Sequence, residues 1–118
     1  RFKNSLQENS KIHASIEDII EASHNSISIW ENKNDFKPIL LQGSDDFVKT
    51  KERWGIVKEY FKIKNIDYEE ISSVEGNIIS KLVCLIYLLD YTSIYRAILS
   101  EIDPSPVNAI NFVKERLK

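Results

Sequence analysis

Methionine is missing from all 118 residues, and position 1 is an arginine. A primary translation product opens on Met, and Met removal usually leaves a small residue. The chain is therefore expected to be a cleaved product, a fragment or the ordered part of a longer protein. Cysteine occurs once, at Cys84, which excludes an internal disulfide and a cysteine-based metal site and fits a reducing compartment; a cytoplasmic location is expected. The two histidines, His13 and His24, lack metal-motif spacing, and no metal or other cofactor is expected. Neither sign of charge is in large excess. Sixteen basic against eighteen acidic residues leave −2, too little positive charge for a dedicated nucleic-acid partner. No signal peptide opens the chain. The longest apolar run, Ile78 to Leu89, contains Ser80 and Lys81 and is short of the roughly 20 residues of a spanning helix, so no membrane partner is expected. GxGxxG and GxxxxGK[ST] are both absent, and no nucleotide loop is signalled.

What is present describes a folded protein. The hydrophobic share is 42% and the charged share 29%, as in globular chains. The length suits one domain that buries roughly two-thirds of its unfolded surface. Three glycines and three prolines leave room for long elements. Arg1 to Lys11 reads as a polar helix. Ser15 and Asp18 resemble a capping box opening a helix over Ile16–Ala22. Ile27-Ser28-Ile29-Trp30 alternates like a strand, while a helix from the Asn25–Ser26 cap is equally allowed. Pro38 to Gln42 reads as a buried strand ended by Gly43. Ser44-Asp45-Asp46 then caps a helix with Phe47, Trp54, Val57 and Phe61 on one face. That helix ends near Lys64-Asn65, and Ile66 to Ser73 reads as a second strand. From Asn77 to Glu101 apolar residues wrap nearly all round, which predicts a long helix buried in a core or interface. Asp103-Pro104-Ser105-Pro106 breaks it before a last amphipathic helix bearing Ile110, Phe112, Val113 and Leu117. The order is α/β and predicts a mainly parallel sheet flanked by helices.

Several segments, in order along the whole chain, resemble the bifunctional phosphoglucose/phosphomannose isomerases. Leu85-Ile86-Tyr87-Leu88 through Asp90-Tyr91 is similar to that family's LIYLGD, Asp103-Pro104-Ser105-Pro106-Val107 to its DPTPV, and Phe112 to Leu117 to its YLKERL. Glu8-Asn9-Ser10-Lys11 matches ENAK or ENSK. His24-Asn25 matches HNE with a tryptophan shortly after, here Trp30, and Val74-Glu75-Gly76 matches AEG. Members carry two sugar isomerase (SIS) domains in one chain, and residues 1–118 correspond to the second. The resemblance implies a three-layer SIS-like domain, an N-terminal SIS domain in the same chain as partner, a homodimer and a phosphosugar substrate.

It also implies three catalytic positions. Glu8 falls on the family's base, His24 on its ring-opening histidine, and Lys114 on the lysine that assists ring opening. Ring opening moves a proton between the ring oxygen and the anomeric hydroxyl, which imidazole and ammonium groups can do near neutral pH. Isomerisation then shuttles a proton between neighbouring carbons through a cis-enediol, a task for one carboxylate that accepts and then donates. Hydrogen-bond donors can stabilise the enediolate. Ser105, in the loop before Lys114, is a candidate for lining the sugar site. Each residue also has an ordinary reading. Glu8 on a polar helix is a solvated surface group. His24 beside Asn25 is part of a helix cap, and at a helix N-terminus its neutral form would be favoured. Lys114 is a surface lysine with a snorkelling stem.

The remaining candidates read as structural. Cys84 within the apolar helix is expected to be inert packing, and Trp30 and Trp54 to be core. Tyr87, Tyr91 and Tyr95 recur at i, i+4 and i+8 as a core or interface stripe. Ser23 stands where the family commonly has asparagine before the histidine, which bears on how the imidazole is oriented. The family's phosphate-holding Ser/Thr-rich loops lie in the first domain, and the acidic Ser44-Asp45-Asp46 turn does not replace them.

Overall fold

The computed structural model describes residues 1–117; the final position of the expected 1–118 domain lies outside the described residues. Five α-helices, a 3-10 helix and two strands follow in the order α1 Phe2–Asn9, α2 Ile19–His24, a 3-10 helix Ser26–Glu31, β1 Ile39–Gln42, α3 Val48–Lys64, β2 Glu69–Ser72, α4 Ile78–Leu99 and α5 Asn108–Arg116. They group into two compact units. One comprises Glu17–Leu82, the other Arg1–Ile16 with Val83–Lys118.

In the Glu17–Leu82 unit β1 and β2 pair in parallel, with Ile39 opposite Glu69 and Gln42 opposite Ser72. A parallel pair needs a crossover, and α3 supplies it. Leu40, Val57 and Phe61 form the buried centre. Ile19, Ile27, Trp30, Trp54, Tyr60, Ile66 and Tyr68 pack around them. Phe61 is met edge-on by Trp30 at 5.4 Å and at a tilt by Tyr68 at 5.5 Å between ring centroids. Asn65 takes the left-handed conformation and closes α3, with Ile66 N–H donating to the Phe61 carbonyl at 2.9 Å; this C-terminal motif satisfies otherwise orphaned carbonyls.

Several expectations are corrected locally. Asp18 caps α2 itself, accepting from Ile20 N–H at 2.9 Å and Glu21 N–H at 3.1 Å, so the helix starts at Ile19 and not at Ile16. The strand reading of residues 27–30 gives way to the 3-10 helix. Ser44-Asp45-Asp46 does not cap α3, whose N-cap is Phe47 without a side-chain bond. Asp46 turns back instead to accept from Gly43 N–H at 3.0 Å and the Trp54 indole at 3.3 Å. Asp45 pairs with Lys81, which holds its carboxyl below the usual carboxylate range. Phe47 is 70% exposed and leaves the apolar face that Val57 and Phe61 keep. Trp30 and Trp54 are half-buried against the core.

In the other unit α4 carries the packing, but it is not a buried helix within this chain. Only Leu89, Ser93 and Ala97 are buried, a narrow i, i+4, i+8 stripe. Leu85, Ile86 and Ile94 are half-buried, and the remaining apolar side chains of α4, among them Leu82, Leu88 and Leu99, are exposed among the described residues. Cys84 is exposed rather than packed. Counted to Leu99, α4 is long and apolar enough to cross a membrane by length and composition, with 17% of its most apolar window buried.

Candidate active site

Glu8 lies in the last turn of α1, an eight-residue helix with no buried residue and no side-chain N-cap. Such a helix is too short to persist on propensity alone; besides the half-buried Phe2 and Leu6, side-chain bonds to α4 hold it. Asp90 accepts from Arg1 Nη2 at 2.5 Å and from the Ser5 hydroxyl at 2.7 Å. These donors hold the Asp90 carboxyl below the usual carboxylate range, Arg1 contributing most. One turn on, the Ser93 hydroxyl accepts from Asn9 Nδ2 at 2.7 Å and donates to the Asp90 carbonyl at 2.6 Å. Ser10, fully buried like Ser93, donates its hydroxyl to the Ser93 carbonyl at 2.5 Å. Buried hydroxyls that are all paired fix orientation.

A groove of about 510 Å³ opens where α1 meets α4, lined by Arg1, Asn4, Ser5, Glu8, Asn9, Asp90 and Ile94. Its lining is mostly polar, and the Glu8 side chain reaches it from an exposed position. That leaves a carboxylate free to take and give a proton at the edge of a cleft of ligand size.

Lys11 then ties this helix to the loop before α5. Its ammonium donates to the Glu8 carbonyl at 2.5 Å and to the Pro106 carbonyl at 2.7 Å. The residue adopts a left-handed backbone (φ 55°), which costs a non-glycine residue about 1 kcal/mol. Within the same loop Ser105 N–H donates to Asp103 Oδ1 at 2.9 Å, and this bond holds the Asp103 carboxyl below its ordinary range. The end of the Glu8 helix and the Ser105 loop are thus joined through one side chain. Lys114 follows in the last turn of α5, exposed.

His24 belongs to the Glu17–Leu82 unit. It closes α2 and does not open a helix, so the expected helix-N-terminus argument for its neutral form does not apply. It is exposed, and Asn25 beside it donates to the Glu21 side chain at 2.5 Å. Ser23, in the place of the family asparagine, spends its hydroxyl on the Ile19 carbonyl at 2.6 Å. Among the described residues no cluster of three or more His, Cys, Asp or Glu gathers as a metal site.

Asp90 and Asn9 stand in the quoted motifs without a role, and Ser93 is in none of them. The available signal was Asp90, the one acidic residue between Ile78 and Leu99, since a lone carboxylate in an apolar helix calls for a partner.

Residues 1–117 match the family described as "Bacterial phospho-glucose isomerase C-terminal SIS domain", and the chain belongs to that family. Similar curated proteins are the bifunctional phosphoglucose/phosphomannose isomerases of Caldicellulosiruptor bescii, 31% identical over 99% of this chain, and of Aquifex aeolicus, 29% identical over 100%. The protein of the same name from Thermoplasma acidophilum is 24% identical over 99%. The chain spans about 36–38% of the length of these relatives. No solved structure matches it.

Proposed function

We propose that this chain is the acid/base half of a cytoplasmic aldose–ketose isomerase that interconverts glucose 6-phosphate, and mannose 6-phosphate, with fructose 6-phosphate. His24 and Lys114 exchange protons with the ring oxygen and anomeric hydroxyl and open the ring. Glu8 then removes the C2 proton, leaving a cis-enediolate, and returns it to C1 while the O2 proton passes to O1. Run from the ketose, the same carboxylate takes the C1 proton and delivers it to C2. Ser105 lines the sugar site. The substrate phosphate binds outside these residues, in an N-terminal SIS domain of the same chain, and in the whole enzyme the small parallel sheet belongs to a three-layer SIS domain. Glu8 on the polar groove, with its helix end tied through Lys11 to the Ser105 loop, is the observation that supports this reading most directly.

Glu8→Gln in the longer enzyme tests it, because the amide keeps the shape and loses the base. C2-proton exchange with solvent is expected to fall by at least roughly 10²-fold, the usual scale of general-base removal, while sugar-phosphate binding persists. Exchange at the wild-type rate would remove Glu8 from the role. A second reading, a non-catalytic sugar-phosphate-binding or dimerisation module, is favoured by the exposed apolar side of α4. It predicts association or ligand affinity with no turnover in the longer chain.

A further inference from the structure

We propose that Asp90 is a positioning residue for Glu8, acting from α4 through the helix that carries the base. The proposal rests on the base reading of Glu8. Its starting point is that α1 is weakly held otherwise: it has eight residues, no cap side chain and no fully buried residue, with Phe2 and Leu6 half-buried and Lys11 tying its end to the Pro106 loop. Its register against α4 is set by side-chain bonds that meet on two residues of α4 in adjacent turns. Asp90 takes Arg1 and Ser5, on the groove side; Ser93 takes Asn9 and Ser10 at the helix end. The two anchors are themselves joined, because the Ser93 hydroxyl donates to the Asp90 carbonyl. Glu8 lies between these attachments in the chain, three residues after Ser5 and one before Asn9. On a helix, positions i and i+3 share a face. Ser5 and Glu8 accordingly line one groove, with Asp90 lining it from α4.

The chemistry gives this arrangement a purpose. Proton transfer from carbon demands a base placed within a fraction of an ångström, and a misplacement of about 1 Å can cost on the order of 10²-fold in rate. A carboxylate at the end of an uncapped helix would otherwise sample many placements. Asp90 is already committed to Arg1 and Ser5, so its part is to hold and not to exchange the substrate proton.

The test uses the longer enzyme with Ser5→Ala, Asp90→Asn and Asp90→Ala, and with Glu8→Gln as reference. Ser5→Ala removes one bond to Asp90. Asp90→Asn keeps an oxygen acceptor for Ser5 and removes the charge. Loosened positioning is expected to lower kcat by about 3- to 10-fold in these two and on the order of 10²-fold in Asp90→Ala, with KM within about 2-fold of wild type. The deuterium isotope effect from C2-labelled substrate is expected to rise in the same order, because proton transfer has become slower than the other steps. A role in stability alone would lower the active fraction and leave the isotope effect of the folded enzyme unchanged. Unchanged kcat and isotope effect in Ser5→Ala and Asp90→Asn would overturn the proposal, as would a rise in KM at constant kcat, which marks a substrate contact. If Asp90→Ala does not fold, the two milder variants decide. Wild-type exchange in Glu8→Gln would instead overturn the base reading, and a loss confined to Glu8→Gln would leave that reading standing without the Asp90 role.

Discussion

Phe61 shows how much of the Glu17–Leu82 unit rests on one side chain. It is 2% exposed, meets Trp30 edge-on and Tyr68 at a tilt, and its backbone carbonyl accepts from Ile66 N–H in the turn that closes α3. The buried centre consists of this ring with Leu40 and Val57. Phe61→Ala is therefore expected to cost about 3–5 kcal/mol, the usual range for emptying an aromatic core position. That is a large part of the 5–15 kcal/mol that holds typical domains folded, so urea or thermal unfolding followed by Trp30 and Trp54 fluorescence should show a strongly lowered midpoint. A midpoint within about 1 kcal/mol of wild type would mean that other residues hold this unit together. Gly43 marks a tighter constraint nearby. A Cβ there would collide with the Asp46 carboxylate, which is already bound to the Gly43 N–H and the Trp54 indole.

At the scale of elements, α1 depends on charge in a way that pH can reveal. Asp90 has a depressed pKa in the folded chain because Arg1 and Ser5 bond to its charged form. A carboxyl of that kind stabilises the fold above its unfolded value, about 3.9. The contribution is lost as pH falls through the lower folded value. The amides of α1 should then stay protected at neutral pH and lose protection faster than those of α3 below about pH 4. Asp90→Asn should abolish that difference, as hydrogen exchange read by mass spectrometry can establish; an unchanged acid response in Asp90→Asn would assign it elsewhere.

Which elements could be read from the sequence follows from the same forces. The strand after Pro38 and the helix closed by Asn65 are legible because a short apolar run leaves one option and Trp54, Val57 and Phe61 recur at helical spacing. Ile27 to Trp30 misled because alternation over four residues also fits a repeat of three. Ile27 and Trp30, three apart, pack on the core while Ile29 is 53% exposed. Glu8, His24, Lys114 and Ser105 were legible only through motif resemblance, since nothing in their local pattern separates them from surface residues. Asp90 stands in a quoted motif but receives no role there, because its partners, Arg1 and Ser5, are 89 and 85 residues away.

For the whole molecule, α4 has the largest consequence. Apolarity on every side says that a helix needs cover, and says nothing about which chain supplies it. Tyr87, Tyr91 and Tyr95 stack along its outer side at 6.3 and 6.4 Å between ring centroids, all exposed, beside Leu88 and Leu99. Patches of this kind mark interaction surfaces, and the relatives are nearly three times as long as this chain. The isolated chain is expected to self-associate at micromolar concentration, and Leu88→Glu with Tyr91→Glu to return it to monomer without loss of helix content. Sedimentation velocity with circular dichroism checks both. A monomeric wild-type chain would mean that this side needs a different partner.

Cys84 carries one last consequence. With no methionine and one cysteine, the molecule contains a single sulfur atom, and it sits exposed on α4. Every thiol label, and every oxidation event at sulfur, therefore reports from one known address on that helix. In the isolated chain, the rate at which an alkylating reagent consumes the thiol is a direct clock for whether α4 is open or covered.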